Sequence, residues 1–196
     1  MRLIALTVLV AAALWRALAV YSPELGNFAP VMALAFCGGV YFRSWPMWLA
    51  PFLALGVSDV FLNRYYAAEF HYAYSFPLAE TGVRVLCFAA GLGLGRLASR
   101  QRSWRSLLGG ILGASTFFYL ATNTMSWIAD AGYAHGLAGW WQAITVGHPQ
   151  FAPTLYFFRN TFASDLLFTA GFALAMEYVA LRRGEPSLLR VARQRA

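Results

Sequence analysis

Lysine is absent from the 196 residues, and acidic side chains are few, eight Asp and Glu against fifteen Arg. Charged residues make up 12% of the chain, about half of the roughly 25% typical of a soluble domain. That shortage excludes a water-soluble globule, because too little polar surface is available to coat one, and it assigns the chain to the integral membrane proteins. Cysteine occurs only at Cys37 and Cys87, both in apolar runs. This excludes a disulfide framework and predicts two small buried thiols. The sequence has no HExxH, G-x-S-x-G, P-loop or C-x-x-C signature, so neither an enzyme nor a metal site is expected, and ATP-driven work would need a partner chain. His71, His135 and His148 lie in loops without ligand-like spacing. No linker or low-complexity tract divides the chain, and one domain over 1–196 is expected.

What the chain has in abundance is apolar surface, with 60% hydrophobic residues, 17% aromatic residues and a mean hydropathy of +0.54. Six apolar segments predict an all-α polytopic bundle with spans at 3–21, 29–42, 46–62, 73–95, 107–129 and 155–180. The first follows a single Arg like a signal peptide, yet no small-x-small cleavage site precedes a polar mature domain, so it reads as a retained helix. The second span, inside "NFAPVMALAFCGGVYF", is short and broken by Pro30 and Gly38-Gly39. Such a segment needs shielding by its neighbours, or irregular backbone that faces protein or a cavity.

Arginine placement sets the expected orientation. With the N-terminus inside, the inner segments hold Arg2, Arg43, Arg96, Arg100, Arg102, Arg105 and the five arginines from Arg182 to Arg195, whereas the outer loops hold only Arg64. This predicts an N-in/C-in membrane protein. The net charge of +7 is accounted for by topology, with no call for nucleic acid. The basic tail 181–196 suits anionic lipid.

Ionisable and amide side chains inside spans usually face a bundle interior. Here they share one depth. Asp59 lies near the outer end of the third span, Glu80 and Arg84 in the outer half of the fourth, Asn123 in the fifth, and Arg159, Asn160 and Asp165 in the sixth, with Asn27 at the mouth of the second. Glu80 and Arg84, at i and i+4, are expected to share a helix face as an ion pair. The inner half is nearly apolar apart from Glu177, which describes a pocket open to the outside rather than a channel. The competing reading makes these residues helix-to-helix clamps, with Asp59 paired to Arg84 or Arg159. Aromatics in the outer loops suit an interfacial belt or a lid, for which Tyr65, Tyr66, His71, Trp140 and Trp141 are candidates; "AGWWQAITV" reads as a short helix across the outer mouth. "GLGLG" and "GGILG" have the GxxxG spacing of close helix contacts.

"NFAPVMALAFCGGVYFRSWPMWLAPFLALGVSDVFLN", the pair Thr122-Asn123 and "FFRNTFASDLLFTAGF" together resemble DUF6580, an uncharacterised family of bacterial membrane proteins, and the resemblance implies a role in transport. Ala29 stands where that pattern has Thr, and Cys37 where it has a small or apolar residue. The size and six-helix layout are also similar to the substrate-binding S components of energy-coupling-factor transporters. That likeness implies a pocket near the outer surface, loops acting as a gate and an ATPase partner module. One group similar to S components holds cobalamin through a cysteine sulfur, a role that Cys37 or Cys87 would have to fill here. The expected function is uptake of a small, vitamin-like or anionic solute from the periplasmic side. Two alternatives stand beside it, a structural or assembly subunit of a membrane complex, and an intramembrane enzyme using Asp59 or Asp165.

Overall fold

The computed structural model of the protein describes residues 2–22, 25–69, 71, 78–101, 103–185 and 187. The first residues of the expected fourth span (73–77), Arg102 and the tail from 188 onward lie outside them. Among the described residues there are seven helices and no strands: α1 (Arg2–Ala19), α2 (Val31–Tyr41), α3 (Trp45–Glu69), α4 (Leu78–Gln101), α5 (Trp104–Ala129), α6 (Leu137–Ile144) and α7 (Thr154–Arg182). Three of them, α3, α4 and α7, are long and apolar enough to cross a membrane. Many of their large apolar side chains point outward, Leu53, Val57, Leu86, Leu167 and Leu174 among them. Outward apolar surface on this scale marks a membrane protein, since water would not tolerate it.

Helix ends differ from the expected spans, most at the ends of α3 and α4. α3 runs seven residues beyond 62, to Glu69, so "NRYYAAE" extends the helix and carries Asn63, Tyr65, Tyr66 and Glu69 along the bundle. The short helix expected at "AGWWQAITV" is α6; its Gly139, Ala143 and Ile144 are buried and it packs on α5 and α7.

The weakest expected span is the centre of the molecule. α2 packs against α3, α4, α5 and α7, and residues 31–39 are all buried. A helix enclosed by other helices is apolar on every side, which explains why it shows no polar face. Its 11 residues make a rod only about 16 Å long, tolerable because its surroundings are protein. Glycines bring α4 close to it. A Cβ on Gly39 would collide with the Leu92 carbonyl, and one on Gly95 with the Phe36 carbonyl. Gly91 admits Met32, and Gly110 of α5 admits the Phe36 ring. Phe36 and Met32 are fully buried there, with Ile111 and Leu55 alongside.

Candidate functional site

The chain enters α2 through a non-helical stretch, and its backbone polar groups are satisfied by side chains. Asn160 Nδ2 donates to the Gly26 carbonyl (3.0 Å), Thr161 Oγ1 to Asn27 (3.2 Å), Trp15 Nε1 to Phe28 (3.0 Å) and Ser164 Oγ to Ala29 (2.9 Å). Four successive carbonyls thus accept from α1 and α7. One turn further, the Asp165 carboxyl accepts the Ala33 N–H (2.9 Å) and the Ser115 hydroxyl (2.5 Å). Pro30 stands at the N-cap of α2 and supplies no side-chain hydrogen bond, so Asp165 reaches across from α7 to satisfy a first-turn donor. Asn27 adopts φ 60°, a left-handed conformation that Asn accepts more readily than most residues. The polar face of α7 is therefore a clamp on irregular backbone, the arrangement that a water-poor environment demands.

Beside this clamp lies a cavity of about 850 Å³. Its polar walls include Arg16, Asp59, Asn63, Glu69, Glu80 and Arg84. They come from the C-terminal ends of α1 and α3 and the N-terminal end of α4. Asn27, Tyr65 and Tyr66 also line it. Four of the eight predicted binding residues, Asn27, Asp59, Glu80 and Arg84, are thus brought to one cavity, together with two of the five predicted lid residues.

The charge pairing inside it differs from expectation. Asp59 binds Arg16 at 2.5 Å, both largely buried, rather than Arg84 or Arg159. Arg16 also donates to Ser58 Oγ (2.7 Å) and the Leu55 carbonyl (3.3 Å). Its position in "AAALWRALAV" gives no sign of a partner 43 residues away, so sequence reasoning left it unassigned. Arg84 makes no ion pair with Glu80 among the described residues. Its Nη2 donates to Thr81 Oγ1 (3.3 Å), while its Nε, and Asn63 Nδ2 across the same cavity, are buried without a hydrogen-bond partner. Asn63 lies just past the expected end of the third span at 62, and the extension of α3 to Glu69 places it in the cavity wall.

A second cavity of about 220 Å³ adjoins the first. The two share Asn27, Phe118, Thr122, Phe151, Phe157 and Thr161 as walls. Asn123 lines the smaller one, with its Nδ2 turned to the Tyr119 carbonyl at 2.8 Å. Tyr119, Tyr133 and Phe158 add further aromatic wall, and the Tyr119 hydroxyl donates to the Ile144 carbonyl, tying α5 to the end of α6. The loop over this cavity is pinned by Asp130, which accepts from the Gly132 N–H (2.8 Å) and meets His148 Nε2 (2.8 Å). Those two contacts hold the Asp130 carboxyl below its ordinary range.

The remaining predicted residues line neither cavity. Arg159 is exposed, its guanidinium stacked 4.4 Å from the centre of the Tyr156 ring. Asn160 and Asp165 are buried in the clamp. His71 is exposed and has φ 55°. Trp140 Nε1 donates to Thr124 Oγ1 at 2.9 Å, fastening α6 to α5, and Trp141 points outward, 62% exposed. Cys37 and Cys87 are free and buried, and line neither of these two cavities. Among the described residues no group of three or more His, Cys, Asp or Glu gathers as a metal site.

No curated protein and no solved structure matches the chain. A family model does, over residues 1–188, covering the short second helix, the cavity walls and the α7 clamp together. The protein belongs to DUF6580, a family of unknown function.

Proposed function

We propose that this is a solute-binding transport protein of the bacterial inner membrane, with six membrane-crossing helices and both ends in the cytoplasm. The solute enters the larger cavity from the periplasmic side, and Arg84, Asn27 and the Arg16–Asp59 pair form its polar floor and walls. Tyr65 and Tyr66 stand at the wall where they would close over it. The observation that carries this reading is the convergence of charged side chains from three helices on one cavity of about 850 Å³, within the roughly 300–1,000 Å³ of small-ligand pockets. Charges kept inside a largely apolar bundle are costly and generally mark a functional site. With no nucleotide-binding signature of its own, the protein would draw energy from a partner, and the resemblance to S components suggests an ATPase module.

Native mass spectrometry of the detergent-purified protein tests the reading. A small molecule should be released from the wild type and be missing from Thr122→Trp, which fills the wall shared by both cavities. No bound solute in the wild type, together with uptake phenotypes unaffected by the plug, would refute it.

A further inference from the structure

Building on the solute-binding reading, we infer that the ligand is a small amphipathic carboxylic acid. Its carboxylate sits on Arg84 and Asn63, and its apolar or aromatic body extends into the smaller cavity between α5 and α7.

The acidic end follows from what the cavity leaves unsatisfied. Buried donors are almost always paired, and an orphan calls for an explanation. Two orphans, Arg84 Nε and Asn63 Nδ2, belong to residues that line the same cavity, and both are donors. A ligand that satisfies them must supply acceptors. Of the two arginines in the wall, Arg16 is already neutralised by Asp59 at 2.5 Å. Arg84 has no carboxylate partner among the described residues and only a long bond to Thr81 Oγ1, 3.3 Å. A guanidinium edge presents parallel N–H groups that match the two oxygens of a carboxylate, and an Asn amide beside it adds a neutral donor. Glu69 and Glu80 also border this cavity, but both are exposed, whereas the two unpaired donors are buried.

The apolar end follows from the second cavity. Phe118, Phe151 and Phe157 are walls common to both spaces, and Tyr119, Tyr133 and Phe158 continue the aromatic surface in the smaller one. Its polar groups are mostly engaged elsewhere. Asn123 bonds the Tyr119 carbonyl, the Tyr119 hydroxyl bonds Ile144, and His148 meets Asp130. The small chamber therefore offers faces for stacking and apolar contact, while the large one holds the free donors. A molecule occupying both is charged at one end and apolar at the other.

Binding to protein in lipid nanodiscs tests this, using a panel of aryl, heteroaryl and alicyclic monocarboxylates, each beside its primary amide, with acetate as the control lacking a body. Acids should bind, with their amides weaker by about tenfold or more, as expected when a charge-assisted hydrogen bond is lost, and with acetate weaker because it buries no apolar body. Arg84→Gln should erase the preference of acid over amide, Arg84→Lys should restore part of it, and Asn63→Ala should reduce it, all three variants eluting as the wild type does on size exclusion. Equal binding of acids and amides, or an unchanged preference in Arg84→Gln, overturns the inference. If no acid binds while a different solute co-purifies with the wild type, the ligand class falls and the solute-binding reading stands. If nothing binds and nothing co-purifies, both fall.

Discussion

Asp165 shows how far a single residue's environment can redirect its role. A carboxyl group deep in an apolar helix reads as a functional group, yet here both oxygens are engaged by Ala33 N–H and Ser115 Oγ, and it belongs to the architecture of α2. Asp165→Ala should leave one buried N–H and one buried hydroxyl without acceptors, costing on the order of 2–4 kcal/mol. Thermal unfolding in detergent should register this as a clear fall in the midpoint. A midpoint equal to that of the wild type would remove Asp165 from the clamp. For the Arg16–Asp59 pair the informative comparison is between single and double replacements. Either Arg16→Gln or Asp59→Asn alone strands a charge in a site where both partners are largely buried, and such stranding is costlier than losing the pair. The double variant should accordingly be more stable than the sum of the two single losses predicts, and strict additivity would show that the contact carries no coupling. Neither partnership could be read from the sequence. Residue type and depth were legible for Asp59 and Asp165, but which neighbour each faces depends on helix rotation, and a side chain in the last turn of α1 carries no local mark of a mate on α3.

Among elements, the packing of α2 on α4 makes a sharp distinction between glycines of identical spacing. Gly39 and Gly95 oppose backbone carbonyls of the other helix, whereas Gly93 and Gly113 face open space. Gly95→Ala should push the helices apart and lower the unfolding midpoint. Gly93→Ala and Gly113→Ala should be neutral or mildly stabilising, because Ala is the better helix former by roughly 1 kcal/mol. Equal effects at all three positions would show that the close approach is not what selects glycine. The GxxxG spacing was visible in the sequence; which glycines of each set touch a neighbour was not. Element boundaries suffered a related limit. "NRYYAAE" looks like an interfacial loop by its aromatics, yet Ala, Arg and Glu are good helix formers, and α3 continues through it. In the loop between α5 and α6, Asp130 titrates below its ordinary value because Gly132 N–H and His148 stabilise the ionised form. A group with a depressed folded-state value contributes stability above its unfolded value and loses it as pH falls through the folded one. Protection of the 130–136 amides from hydrogen exchange, relative to the unstructured chain at the same pH, should therefore persist at neutral pH and fall only below the ordinary Asp value of 3.8. Asp130→Asn should reduce it at neutral pH, and exchange in that variant indistinguishable from wild type would show that the loop is held by other contacts.

At the scale of the whole molecule, the legible quantity was depth. In a bundle whose successive helices alternate in direction, residues late in one helix and early in the next lie at the same end, which is how Asp59, Glu80 and Arg84 reach one cavity wall. What depth does not specify is direction around each helix, so residues at the level of the cavity separate into cavity walls, as with Arg84, and backbone clamps, as with Asn160. The same alternation makes the proposed topology testable without knowledge of the ligand. Positions outside the long helices mark the two ends. His135, exposed, follows α5, Arg183, exposed, follows α7, and half-buried Ser44 lies in the turn between α2 and α3. The native thiols Cys37 and Cys87 are buried, so single cysteines introduced at these sites can be read against a low background. With both termini inside and six crossings, a membrane-impermeant maleimide should label His135→Cys in intact cells and label Ser44→Cys and Arg183→Cys only after permeabilisation. Labelling of residues 44 and 135 from the same face would mean that α3, α4 and α5 together do not make an odd number of crossings. The arginine asymmetry would then need another cause, and the cavity would open on a different side of the membrane from the one proposed.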